Sequence, residues 1–205
     1  MKMASLLASL ALLLGALLPQ AAQAASKGHD ENWCADAVDF AMRTAEYRNY
    51  GRTREFADAS IHKDQRVFRQ QYPSLSERDM RGIALSVYDK NWSHFGAASE
   101  MSKTCSRRAE KEVPAVFSVD HSDEWCANAV DFAMGVAQNR ELAFTKEMIT
   151  GSFDQNPVYY RKQFPELSKD EMLGITEAAY QRRWTRFSAA VSVTSACRAA
   201  PPQKL

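Results

Sequence analysis

Residues 33–42 read WCADAVDFAM, and residues 125–134 read WCANAVDFAM, 92 positions further on. From that pair the register extends without a gap, 29–105 against 121–197, with 29 identities in 77 aligned positions. So long an ungapped match points to a duplicated unit. The spacing of apolar residues inside the unit follows the 3.6-residue helical period and not the two-residue period of strands. The expected fold is therefore all-α. It consists of two tandem homologous helical-bundle repeats, 29–105 and 121–197, joined by a linker at 106–120 and followed by a flexible tail at 198–205.

The segment ahead of the first repeat has a different character. Lys2 gives a positive start, 6–18 is the apolar run LLASLALLLGALL, and Ala22-Gln23-Ala24 is a small-x-small cleavage site. Such a run is short for a membrane span and ends at Pro19, so 1–24 reads as a cleaved signal peptide and the protein as periplasmic or secreted. After cleavage no membrane anchor is expected. Removing Lys2 from the 26 Lys+Arg leaves 25 against 25 Asp+Glu, with the signs interspersed. That balance gives no basic stripe for nucleic acid and no acidic solvating tail.

The four cysteines, at 34, 105, 126 and 197, lie 71 apart within each repeat. Four cysteines allow three pairings. A unit that was once independent selects Cys34–Cys105 and Cys126–Cys197. Each bond closes about 72 residues, which the chain-entropy model values at about 4 kcal/mol, and an exported chain meets oxidising conditions. A metal site is the weaker reading. No closely spaced cysteine pair occurs, and the histidines at 29, 62, 94 and 121 form no i, i+4 pair.

Within each unit, a first helix is expected to open near Asp30 or Ser122 and to bury Trp33, Ala37, Val38, Phe40, Ala41 and Ala45, or their second-copy equivalents. It ends near Tyr50-Gly51 and near Leu142. Thr53 and Thr145 begin short helical stretches that break at 60–63 and 151–155. A short helix then follows at 65–71 and at 157–163. The clearest start comes next. Ser76 with Asp79, and Ser168 with Glu171, are capping boxes, and Leu75 is placed to staple to Met80. From there one continuous helix is expected to reach about Lys103, near 40 Å long. The disulfide then ties the start of the first helix to the end of the last, so these two long helices run antiparallel.

Positions shared by both copies supply the candidate sites. Arg48 and Arg140 fall within the apolar arc of the first helix, where a lone charge is costly, and Glu55 is the expected partner. Asp39 and Asp131 fall on the opposite, solvent-facing side and are candidate contacts to a partner, as are the two arginines in an open cleft. Gly82, Ser86 and Ala97, matched by Gly174, Ala178 and Ala189, form a small-residue seam along the last helix. It suits either a repeat-to-repeat interface or packing within one repeat. His29 and His121 precede the first helix of each copy and read as exposed.

No catalytic, haem, phosphate-loop or cofactor motif is present, so no cofactor is expected and an enzyme is the least favoured class. The leading expectation is a helical protein that acts by binding another protein, as an inhibitor or neutraliser. Its size and plan are similar to those of exported helical immunity proteins that neutralise cell-wall amidases, although no motif matches them position for position. The alternative is a carrier of a small ligand held among aromatic side chains: Tyr72, Tyr88 and Trp92 in one copy, or Tyr159, Tyr160, Phe164 and Trp184 in the other.

Overall fold

The computed structural model describes residues 29–105 and 121–199, and all of the regular structure among them is helical. The expected leader at 1–24, the expected linker at 106–120 and positions 200–205 of the expected tail lie outside the described residues. No described helix is long and apolar enough to cross a membrane.

The first half contains α1 (Glu31–Asn49), α2 (Arg54–Lys63), α3 (Gln65–Gln71), α4 (Glu77–Asp89) and α5 (His94–Cys105). The second contains α6 (Asp123–Glu141), α7 (Lys146–Gln155), α8 (Pro157–Gln163), α9 (Lys169–Gln181) and α10 (Arg186–Ala199). Local chemistry sets most of these boundaries. Asp30 and Ser122 cap α1 and α6 by accepting from the Trp33 and Trp125 amides, and Thr53 and Thr145 do the same for α2 and α7. Both capping boxes form, at Ser76–Asp79 and at Ser168–Glu171. α2 and α7 run unbroken through 60–63 and 151–155, where breaks were expected; the chain turns only at Asp64 and Asn156, neither of which makes a side-chain cap. Helix α10 runs two residues beyond Cys197, into the expected tail.

The main departure is in the last helix of each half. The expected 40 Å helix is two helices, α4–α5 and α9–α10. After Asp89 the chain enters the left-handed region at Asn91 (φ 51°), and after Gln181 it does so at Arg183 (φ 53°). The Trp92 amide then bonds to the Val87 carbonyl and the Asn91 amide to the Tyr88 carbonyl, and the second half repeats this with Trp184 to Ala179 and Arg183 to Tyr180. These paired bonds are the Schellman termination, which satisfies the last carbonyls of a helix. Ser93 restarts the chain by accepting from the Gly96 amide, and Thr185 restarts it by accepting from the Ser188 amide. Trp92 and Trp184 look like members of one apolar arc, which is why the break is hidden in the residue pattern.

Both disulfides are as expected, Cys34–Cys105 and Cys126–Cys197, with Cα atoms 5.9 Å and 6.2 Å apart. They tie α1 to α5 and α6 to α10, and those pairs make the most extensive helix contacts in the molecule. α4 and α9 pack on α1 and α2, and on α6 and α7, inside their own halves. The halves meet through α5, α6, α1 and α10: α5 against α6, α10 against α1, and α5 against α10. A single run of buried side chains therefore spans both, including Val38, Phe40, Met80 and Ala97 from one half and Val130, Phe132, Trp184 and Ala189 from the other.

Candidate functional site

Two regions hold chemistry beyond core packing: a charged junction between the halves, and an apolar face in each half.

The junction contains residues expected on a free surface. Asp39 is half-buried and not fully solvent-facing. It and Asp131 lie where α1 and α6 approach, because the break before α5 and α10 swings those helices across to the opposite half. Arg43 reaches Asp39 at 3.6 Å, Glu46 at 3.2 Å and Asp131 at 3.2 Å. Arg186, from α10, reaches Asp36 at 2.9 Å and Asp39 at 3.7 Å. His94, at the matching place on α5, stands 4.0 Å from Asp131. The contacts are reciprocal at the helix starts too: Ser93 donates to Asp123, and Thr185 donates to Glu31. Asp36 is almost fully buried, and its second oxygen accepts from the Ser74 amide at 3.0 Å.

Burial sets the proton affinities here. Asp39 is pushed up to about 6, first by burial and then by the charge of Asp131. Asp131 is pushed up to about 6 by burial, with Glu46 adding to the rise and Arg43 opposing it. Burial alone would lower Arg43, but Asp131, Asp39 and Glu46 outweigh it and hold the guanidinium charged. Burial lowers the His94 imidazole. Arg43 and Arg186 are thus committed to the carboxyls of Asp36, Asp39, Glu46 and Asp131 inside the junction.

Arg48 and Arg140 are also committed internally. Arg48 donates to the Val87 carbonyl at 3.2 Å, and Arg140 donates to the carbonyls of Trp184 at 2.9 Å and Arg183 at 3.3 Å. Both arginines therefore hold the chain where α4 and α9 end, and cations are favourable at that end of a helix. The expected Arg48–Glu55 pair does not form among the described residues. Glu55 folds back on the start of its own helix, where hydrogen bonds from its backbone amide and from the Thr53 side chain hold its carboxyl below the ordinary value.

The small-residue seam divides at the break. Ala97 and Ala189 are fully buried on α5 and α10, which pack across the halves. Gly82, Ser86, Gly174 and Ala178 lie on α4 and α9, whose main contacts stay within one half. A Cβ on Gly82 would meet nothing within 4 Å, so no close approach requires that glycine. His29 is exposed, as expected, whereas His121 is half-buried. They stack on Trp33 and Trp125 with ring centroids 3.4 Å apart. The Trp125 indole donates to Glu171 at 2.9 Å. Burial would raise Glu171, but bonds from Ser168 and Trp125 outweigh it and leave the carboxyl below its ordinary value; Asp79 behaves alike with Ser76 and Trp33. The signal for this device was the matched His-x-x-x-Trp spacing.

The apolar faces were missed in the sequence. Among the described residues, the large hydrophobic side chains left exposed are Tyr47, Tyr50, Phe56 and Val67 in one half and Leu142, Phe144, Met148, Val158 and Tyr159 in the other. All lie between the end of the first helix and the third helix, and 47–67 aligns with 139–159. Tyr50 matches Leu142, Phe56 matches Met148 and Val67 matches Tyr159. Residue identity in this stretch is low, which disguised the shared exposure.

In the first half this face leads into a cavity of about 300 Å³ between α1, α2 and α3. Phe40, Ile61 and Tyr72 form its deep wall, with Tyr47 and Phe56 at the mouth. Tyr72 and Tyr88 were expected to share a pocket and do; Trp92 is not part of its lining. No cluster of histidine, cysteine or acidic side chains suited to a metal is present among the described residues. No family model, curated protein or solved structure matches this chain.

Proposed function

We propose that this chain is an exported, duplicated helical protein that acts by binding another protein, as an inhibitor or immunity-type neutraliser. The observation that carries the reading is the placement of the exposed apolar side chains. Isolated exposed hydrophobics need no explanation, but a cluster of them marks an interaction surface. Here they gather in one matched stretch of each half, between the first and third helices. The two disulfides and the capped helix ends favour rigid presentation of those faces, which lowers the ordering cost of association. The apolar leader at 1–24, together with two disulfides, favours the periplasm as the place of action. The 29 shared positions favour duplication of one ancestral unit.

The test is affinity capture from the native cell envelope with two baits. One is the oxidised wild-type protein. The other carries Tyr50→Glu, Val67→Glu, Leu142→Glu and Tyr159→Glu, all at exposed positions away from the cavity mouth. A stoichiometric protein retained in high salt by the first bait and lost by the second supports the reading. Equal capture by both baits, or a clean wild-type bait, overturns it. Asp39→Asn, at the internal junction, leaves capture unchanged.

A further inference from the structure

The cavity in the first half has a counterpart that shows what it fits. Ile61 stands in the cavity wall, and the residue in its place in the second half is Phe153. The Phe153 ring packs against Phe132 at 5.8 Å and against Tyr160 at 4.8 Å. Those two residues match Phe40 and Phe68, which line the cavity. One half therefore supplies its own benzyl group to an aromatic niche, and the other presents the niche with a shorter aliphatic side chain and about 300 Å³ of space. A closed apolar cavity of about 150 Å³ is enough to take up benzene.

We propose that the first half binds a small neutral aromatic molecule, a single ring with one hydroxyl or amide substituent, in the position that Phe153 fills in the second half. The aromatic walls select the ring. Thr44 and Tyr72 place hydroxyls where the second half has Val136 and Phe164, while the second half's own hydroxyl, on Tyr160 in place of Phe68, is held by Ser152. The ligand is neutral because, among the described lining residues, Arg43 is already held by Asp39, Glu46 and Asp131, and Arg52 is exposed and lies over the Phe56 ring at the mouth. This site does not depend on the proposed protein partner, and its test uses none of the exposed positions changed above.

Isotope-labelled, oxidised protein is titrated with p-cresol, and methyl resonances are followed by NMR. Saturable shifts are expected at the methyl groups of Ile61 and Thr44, with Ile149 and Ile175 unmoved. Ile61→Phe copies the second half and is expected to weaken p-cresol binding at least tenfold. Phe153→Ile is expected to create a second site, seen as new saturable shifts at Ile149. 4-Methylbenzoate, which carries a charge, is expected to bind at least tenfold more weakly than p-cresol. Absence of saturable shifts at Ile61 in the wild-type protein up to millimolar p-cresol overturns the proposal, whatever the variants do. So does unchanged binding in a folded Ile61→Phe protein, or tighter binding of the benzoate.

Discussion

Ala143 holds a left-handed backbone, φ 66°, at the place where the first half has Gly51, φ 78°. Both end a first helix by the same paired bonds: Arg52 to Tyr47 with Gly51 to Arg48, and Phe144 to Asn139 with Ala143 to Arg140. A Cβ in that region costs about 1 kcal/mol, so Ala143→Gly is expected to stabilise the protein by about 0.5–1 kcal/mol, read from urea midpoints. Gly82 presents the opposite case. It lies inside α4, exposed, with open space where a side chain would go. Gly82→Ala is expected to stabilise by about 0.5–1 kcal/mol in the same assay. A loss of stability there would mean that α4 makes a close approach that the structure does not contain.

Each half's last helix is broken, and an arginine holds the break in place. Arg140 ties α6 to the chain between α9 and α10 through two carbonyls, and Trp184 beside them is fully buried. Arg140→Met keeps the apolar stem and removes the donors. It is expected to cost about 0.5–1.5 kcal/mol, the net range for bonds that are not fully buried, and to raise amide exchange at the start of α10. The disulfides act on the same elements. Replacing Cys126 and Cys197 together with alanine is expected to cost about 2–5 kcal/mol in thermal or denaturant unfolding. An effect under about 1 kcal/mol would show that helix packing alone holds α6 and α10 together.

At the scale of the molecule, the charged junction makes stability depend on pH. Asp39 and Asp131 titrate near 6 in the folded protein, above the 3.8 of an ordinary carboxyl. A carboxyl raised by folding binds protons more tightly in the native state, so its charged form opposes folding at neutral pH. That opposition fades as pH falls through 6 and is gone below about 4, the ordinary Asp value. His94 works the other way, since its lowered affinity makes protonation oppose the fold. Because His94 titrates in the same range and offsets much of the carboxyl gain, the melting temperature is expected to rise by only about 1–3 °C between pH 7.5 and pH 5.5. Asp131→Asn is expected to remove more than half of that rise, since the Asp131 charge also helps to lift Asp39. A wild-type profile flat across this range would mean that water enters the junction and restores ordinary carboxyl affinities.

Much of the fold was legible because it is set locally. The starts of α1 and α6, the capping boxes of α4 and α9, the short α3 and α8, and the cysteine pairing all follow from a few neighbouring residues or from the register of the two copies. The break at 90–93 was not legible, because asparagine and arginine do not announce a left-handed residue as glycine does, and Trp92 keeps the apolar period running through it. That one local event decided the rest. It turns α5 and α10 across the molecule, and so brings Arg186 to Asp36 and Asp39, 150 and 147 positions away in the chain. Asp39 therefore reads as a surface residue on its own helix and becomes a half-buried one only when a second helix covers it. The sequence by itself determined the helical class and the two covalent closures, since period, caps and spacing are properties of the chain. Only the tertiary structure decided which charges are buried, which apolar residues stay uncovered and where a cavity remains, since each depends on what a distant element places against them.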